Sequence, residues 1–344
     1  MTAALSRAPM EAASLLEGLS EPALIASGGR VVAANLAARA LLGETISGAP
    51  IARVTAHPAA LEVLERADAD GEVELTGLDG SRRHWLMRTV RLADGQTLVR
   101  FADRSEARAA EQMRVDFVAN ASHELRTPLA TLIGYTETLR EQSDEIDPDT
   151  RERFLSVVHD EARRMQRVVE DLISLSRIEA EKFTEPTEAV ALDALIDHEI
   201  DSARRTAEER GSELVREISP GIPEIAADRG QILQLLDNLL TNALRYGEPG
   251  TPVTISARRQ GSMVHLAVTD HGEGIPPEHV ARVTERFYRV DTSRSRSLGG
   301  TGLGLAIVKH IVERHRGRLT IESELGRGTR VNVFLPVASR HEVS

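Results

Sequence analysis

Between residues 105 and 178 this 344-residue sequence carries two long helical patterns, each with a single apolar stripe. In the first, Val118, Ala121, Leu125, Leu132 and Leu139 keep coiled-coil spacing over residues 105–142. In the second, Leu155, Val158, Ala162, Met165, Val169 and Leu172 alternate steps of three and four. The polar break SDEIDPDT separates them, so the pair predicts a helical hairpin. One hairpin leaves much of each stripe in water. Two hairpins packed as a four-helix bundle would bury it, so a homodimer is expected.

That hairpin divides the chain. At about 100–200 residues per domain, this length allows two or three domains. Residues 1–104 read as a small mixed domain. PALIAS and RVVAAN are short strands joined at Gly28–Gly29, AARALLG is a helix ending at Gly43, and three strand-like runs follow (GEVELTG, RRHWLMRTVRL and QTLVRFAD). Turn signals at Asp79–Gly80 and Asp94–Gly95 separate these runs. Residues 105–182 are the hairpin domain. After the charged linker EAEKFTEPTEA, residues 183–344 alternate helix and strand again. IDHEIDSARRTAEERG and RGQILQLLDNLLTNALRYG are helical, whereas TPVTISARRQ, MVHLAVTD, RLTIESE and TRVNVFLP are strands. The expected fold class is therefore multidomain α+β.

Composition removes several functions. The net charge of −11 opposes the phosphate backbone of nucleic acid, so no nucleic-acid partner is expected. The chain has no cysteine, which rules out disulfides, iron–sulfur clusters and thiolate zinc sites and suits a reducing compartment. No stretch approaches the roughly 20 apolar residues of a membrane span; the longest run, residues 31–42, is broken by Asn35 and Arg39. The start of the chain lacks an apolar signal core, and a cytoplasmic location is expected.

Four clusters carry chemistry. At about 100° per residue, His123 in FVANASHELRTPLA falls opposite the apolar stripe and faces solvent. Taken singly it is an ordinary surface histidine, yet an exposed imidazole is also a nucleophile that another domain can reach. Glu124 beside it could accept the ring proton, and Pro128 removes a backbone donor within the helix. In the C-terminal domain Asn238, Asn242 and Arg245 share one helical face, with Tyr246 adjoining and Leu235, Leu236, Leu239, Leu240 and Leu244 packing inward. Carboxamide oxygens and a guanidinium suit a magnesium-bound polyphosphate. Asp270 closes an apolar strand, with Gly272 and Gly274 next to it, so a carboxylate could accept from an adenine amine where a flat base comes close. Gly299, Gly300, Gly302 and Gly304 open a helix whose free amides could take phosphate, with Arg294 and Arg296 upstream. Residues 275–299 hold few apolar side chains beyond Phe287 and Tyr288, as in a movable lid.

In this order SHELRTP, DNLLTNALRY, DHGEGIP, ERFYR and GGTGLGL resemble the H, N, first glycine, F and second glycine boxes of sensor histidine kinases. The resemblance implies a dimerisation and phosphotransfer domain, then an ATP-binding α/β sandwich of the Bergerat (GHKL) kind shared with gyrase and some heat-shock chaperones. It implies that His123 is the phosphoacceptor, Glu124 the base, and Asn242 the magnesium ligand supported by Asn238. Arg245 would meet phosphate, Tyr246 would cover the adenine and Asp270 would bind its amine. Gly272, Gly274, Phe287, Gly300, Thr301, Gly302, Leu303 and Gly304 would shape the nucleotide site, and Thr329 in GRGT would approach it. Thr127, four residues after His123, matches a position that supports hydrolysis of a phosphorylated partner. The implied cofactors are ATP and Mg2+, and the implied partners are a response regulator and a second copy of the chain. Residues 1–104 resemble a PAS sensor domain, with Asn35 at a position where PAS domains often carry one. The stretch FADRSEARAAEQMRVDFVANASHELRTPLATLIGY is similar to phosphate-regulon sensor kinases. Signal from the N-terminal domain would travel along the helix from residue 105. Two other classes stay open: an ATPase machine of the gyrase or chaperone kind, and a scaffold that binds ATP without catalysis.

Overall fold

The computed structural model describes residues 15–338 except 56, 66–69, 79, 93–94, 142–145, 182 and 291–299. The turn residues Asp79 and Asp94, the first three residues of the SDEIDPDT break, and Arg294, Arg296 and Gly299 lie outside the described residues. The chain forms two compact units, residues 1–116 and 117–344. Among the described residues no helix is long and apolar enough to cross a membrane.

In the first unit, strands β1 (Ala23–Ser27) and β2 (Arg30–Ala34) form a hairpin whose two turn glycines both have positive φ, +53° and +75°. That backbone is open to glycine and strained for other residues. Helix α1 (Leu36–Leu42) follows, ending at Gly43. Two short 3₁₀ turns (Glu44–Ile46 and Ile51–Arg53) and a second helix, α2 (Pro58–Glu65), lead into β3 (Gly71–Thr76), β4 (His84–Arg91) and β5 (Thr97–Asp103). The sequence reading omitted α2. All neighbours in the sheet are antiparallel, in the order β2-β1-β5-β4-β3. Leu24, Val31, Trp85, Met87, Val99 and Phe101 fill one face of it.

Asn35 explains the junction of β2 and α1. Its Oδ1 accepts from Ala38 N (2.8 Å) as an N-cap and from Ala23 N (3.0 Å). Its Nδ2 donates to the carbonyls of Glu21 (2.8 Å) and Leu19 (3.0 Å). A carboxamide this buried, with its polar atoms matched, is a structural part of the fold.

The long helix α3 spans Ser105–Glu141 and passes through Pro128. Helix α4 spans Pro148–Ala180 and is capped by Asp147, whose side chain accepts from Thr150 N. An edge-on Tyr135–Phe154 ring contact, with centroids 4.9 Å apart, helps to hold the hairpin together. Val118, Leu129, Ile133, Leu155 and Val169 remain exposed in the single chain.

Beyond the hairpin come β6 (Ala189–Val190), α5 (Leu192–Glu209), β7 (Leu214–Ile218), β8 (Ile225–Ala226) and α6 (Arg229–Tyr246). Then follow β9 (Val253–Gln260), β10 (Met263–Thr269), α7 (Pro277–Val280), α8 (Gly304–Arg314), β11 (Arg318–Glu324) and β12 (Gly328–Pro336). The sheet runs β11-β12-β10-β9-β7, antiparallel except for the β7–β9 pair. Helices α5, α6 and α8 cover one face of it around Ile232, Leu236, Ile255, Leu266, Ile307 and Val333. Leu175 and Ile178 of α4 are buried in this same core. The expected boundary at residue 183 falls just after α4, whose last turns pack against the domain that follows. The buried face of α4 is Arg164, Val168, Leu175 and Ile178, displaced from the stripe through Leu155 and Val169; Leu175 and Ile178 are drawn inward by packing on the C-terminal domain, and Arg164 by its pairing with Glu124.

Candidate active site

Helix α6 delivers the paired carboxamides. Its N-cap Asp228 accepts from Gln231 N, and its leucine face is fully buried, which turns Asn238, Asn242 and Arg245 outward. Asn238 Nδ2 donates to Gln234 O at 2.9 Å, fixing the amide. Its Oδ1 lies against Gly304, where an added Cβ would sit 2.6 Å away. The first amides of α8 thus face the carboxamides, and glycine is what permits the approach. Asn242 has no hydrogen-bond partner among the described residues. Burial pushes the Arg245 guanidinium down in pKa, with the neighbouring Tyr246 acting against that shift and Arg167 adding to it.

The second wall starts at Asp270. Its Oδ1 accepts from Gly272 N (2.9 Å) and Thr329 N (3.3 Å), and burial pushes its carboxyl pKa up against those two bonds. Thr329 acts here through its backbone, and its hydroxyl pairs with Ser323 Oγ at 2.9 Å. A Cβ on Gly272 would lie 2.0 Å from Tyr246 O, and one on Gly274 would lie 2.2 Å from Glu324 O. Both positions require glycine, Gly272 through contact and Gly274 also through its φ of +73°.

Phe287 adopts a φ of +63°, and its N–H donates to Gly302 O at 2.8 Å. A Cβ on Gly302 would meet the Phe287 backbone at 2.9 Å. The ERFYR and GGTGLGL segments are thus built on each other. Thr301 and Leu303 are buried and Gly300 is covered. The lid expected over residues 275–299 is described only to residue 290, where α7 and the Tyr288–His279 hydrogen bond (2.6 Å) give it fixed structure.

His123 is exposed on α3, as the helical geometry predicted. Thr127 Oγ1 donates back to His123 O at 3.4 Å. Glu124 is held by two arginines. Its Oε2 accepts from Arg164 and from Arg289, each at 3.1 Å. Arg289 also donates to Gly300 O. Two guanidiniums thus share one oxygen of the carboxylate, which anchors the Glu124 side chain. Arg164, Arg289 and Asp171 went unassigned in the sequence reading. Arg289 lies in the quoted ERFYR motif, and nothing local marks the other two.

What this arrangement can do is hold a flat base at Asp270, a polyphosphate between α6 and the α8 N-terminus, and a reachable imidazole on a helix in the same unit. A magnesium ion fits the donor set. No three carboxylate or histidine side chains converge among the described residues, whereas one unpaired amide oxygen plus nucleotide phosphates meets this ion's preference.

Known proteins bear on the site at this point. Residues 113–181 match the family described as His Kinase A (phospho-acceptor) domain, and residues 227–339 match the histidine kinase-, DNA gyrase B- and HSP90-like ATPase family. The phosphate regulon sensor protein PhoR of Pseudomonas aeruginosa is 36% identical over 300 residues, covering 86% of this chain and 67% of that protein. SenX3 of Mycolicibacterium smegmatis is 38% identical, covering 68% of this chain and 60% of that protein. WalK of Bacillus subtilis is 39% identical, covering 70% of this chain and 39% of that protein. This chain therefore spans two thirds or less of these relatives' lengths. Among solved structures, histidine kinase ThkA in complex with response regulator protein TrrA aligns with a TM-score of 0.54 at 19% identity, over 94% of this chain and 98% of that one. Acinetobacter baumannii histidine kinase AdeS aligns at 0.51 and 22% identity, over 63% and 98%. These two likenesses concern the fold.

Proposed function

Because this chain belongs to the sensor histidine kinases of two-component systems, we propose that it phosphorylates its own His123 from ATP and passes the phosphoryl group to an aspartate of a response regulator. A ring nitrogen of His123 attacks the γ-phosphorus. The bond from that phosphorus to the bridging oxygen breaks, and ADP leaves with the electron pair. The proton on the imidazole passes to Glu124. Asp270 would hold the adenine amine, Arg245 and the α8 amides the phosphates, and Tyr246 the face of the base. Asn242, supported by Asn238, would hold magnesium, which supplies charge neutralisation on the phosphates. Positioning and charge account for most of the acceleration in transfers of this kind.

The observation that carries this reading is Arg289. It bonds Glu124, next to the histidine, and Gly300, in the glycine loop, so the histidine helix and the nucleotide loop meet on one side chain. The test is incubation with γ-labelled ATP. Acid-labile, base-stable label on the wild type and none on His123→Gln is expected, with nucleotide binding kept in the variant. Free phosphate without protein label would indicate an ATPase, and binding without either product a scaffold.

The similarity to PhoR supports a place in phosphate-starvation signalling. The β2-β1-β5-β4-β3 order with Asn35 at its hinge supports a PAS-type sensor in residues 1–104. Exposed Val118, Leu129, Ile133, Leu155 and Val169 support a homodimer through the hairpin. Thr127 supports a phosphatase activity by orienting water. A Thr127→Ala variant should dephosphorylate purified phospho-regulator at least about tenfold more slowly, and equal rates would sink that role.

A further inference from the structure

We propose that Asp171 of α4 is a positioning residue for nucleotide: it sets the glycine loop at the start of α8 through the Thr301 hydroxyl. This rests on the reading of that loop as the phosphate site.

Thr301 Oγ1 donates to Asp171 Oδ2 at 2.8 Å, and the same oxygen accepts from Leu303 N at 3.2 Å. The relay runs from carboxylate to hydroxyl to the amide one residue before α8 begins. It therefore fixes the rotamer of Thr301 and the direction of the backbone amides that would face phosphate. Residues 130 positions apart in sequence are joined, so the relay exists only when α4 is seated on the ATPase-like domain.

The seating is built along one face of α4. Asp171, Ser174, Leu175 and Ile178 follow at helical intervals. Leu175 and Ile178 enter the domain core, and Ser174 Oγ donates to Gln234 Oε1 of α6 at 2.6 Å. Asp171 is the acidic group of that face, directed at the loop rather than at solvent. The neighbouring loop residue is held from the same hairpin, because Gly300 O accepts from Arg289, which is itself bound to Glu124 of α3. Two consecutive loop residues are thus gripped by the two hairpin helices, one directly and one through an arginine. Burial pushes the Asp171 carboxyl up, which means the group sits where water does not compete for its hydrogen bond.

Two sites coupled in this way obey reciprocity. If the seated hairpin favours the nucleotide-ready loop, bound nucleotide favours the seated hairpin by the same factor. The hairpin's position, which a sensor would set, would then be felt as nucleotide affinity as well as in the reach of His123.

The experiment measures Kd for a non-hydrolysable ATP analogue with Mg2+ on the full chain. The proteins are wild type, Asp171→Ala, Asp171→Asn, Thr301→Val and the Asp171→Ala/Thr301→Val double variant. Asp171→Ala should weaken binding by about three- to tenfold, within the strength of a hydrogen bond to a charged group. Asp171→Asn, which keeps an acceptor, should recover most of the loss. The double variant should bind no more weakly than the worse single variant. A melting temperature without nucleotide, taken for each, separates a structural effect: a lowered Tm with unchanged Kd overturns the proposal. An unchanged or tighter Kd in Asp171→Ala, or additive losses in the double variant, also overturns it. Should the wild type itself bind no analogue, the failure is that of the nucleotide site, which precedes this inference.

Discussion

At the scale of single residues, the sequence motifs translated well into positions. Asp270, Gly272 and Asn238 lie at the strand end, turn and helix face that the sequence predicts, because each is placed by its own strand or helix and by close neighbours. Residues whose role depends on a distant partner were invisible. Arg164 reaches Glu124 across 40 positions and Asp171 reaches Thr301 across 130, and no spacing rule anticipates either. His315 is a third such residue. Its Nε2 accepts from Asp228 N at 3.0 Å, and its Nδ1 lies 2.7 Å from Ile311 O, so the buried ring is neutral with its proton on Nδ1. Burial holds its pKa below the usual imidazole range. The unfolded chain then binds a proton that the folded one refuses. This group's contribution is complete above about pH 6.5 and is lost as pH falls toward the folded value. Urea unfolding between pH 5 and 8 should show wild-type stability rising with pH, and His315→Gln, though less stable, should show a shallower rise. An unchanged slope would remove His315 as the cause.

At the scale of elements, helix and strand placement followed periodicity closely in α3, α6, β11 and β12, where the apolar pattern runs long. The short α2 and the two-residue strands β6 and β8 carry too few residues for a period to be seen. Helix α4 is harder to read for another reason: its C-terminal part packs on the ATPase-like domain, and that contact adds Leu175 and Ile178 to Leu172 of the stripe. The glycine contacts give the sharpest test at this scale. Gly272 joins the end of β10 to the end of α6, with Tyr246 O directly against it. In Gly272→Ala the new methyl at 2.0 Å must displace backbone, and no flexible side chain is there to yield. Stability should fall by about 1–3 kcal/mol and nucleotide affinity by at least about tenfold, since Asp270 shares this turn. Calorimetric titration with ADP and a thermal melt check both. Retention of affinity would mean that the turn relaxes without moving Asp270.

At the scale of the whole molecule, the phosphoacceptor hairpin and the ATPase-like domain behave as one packed body in residues 117–344, although motif and linker composition suggested a clean division at residue 183. The charged linker was legible, but the burial behind it was not, because an apolar stripe cannot declare which surface it covers. Leu175 and Ile178 are 1% and 2% exposed within the domain core. Arg314 of α8 bonds Glu181 at 2.9 Å just past the end of α4. A fragment of residues 183–344 loses all three anchors, and one of residues 164–344 keeps them. Burial of two such apolar side chains is worth about 1.5–3 kcal/mol each, before the cost of ordering a short helix on its own. The shorter fragment should melt lower by on the order of 5–10 °C at equal pH and salt, at the 2–4 °C per kcal/mol usual for a domain of this size. In the longer fragment, Leu175→Ala should remove part of that gain, which assigns the gain to packing rather than to extra length. Equal melting temperatures for the two fragments would mean that α4 rests on the domain without stabilising it. The hairpin's seating would then be a weak equilibrium, open to any signal able to shift it.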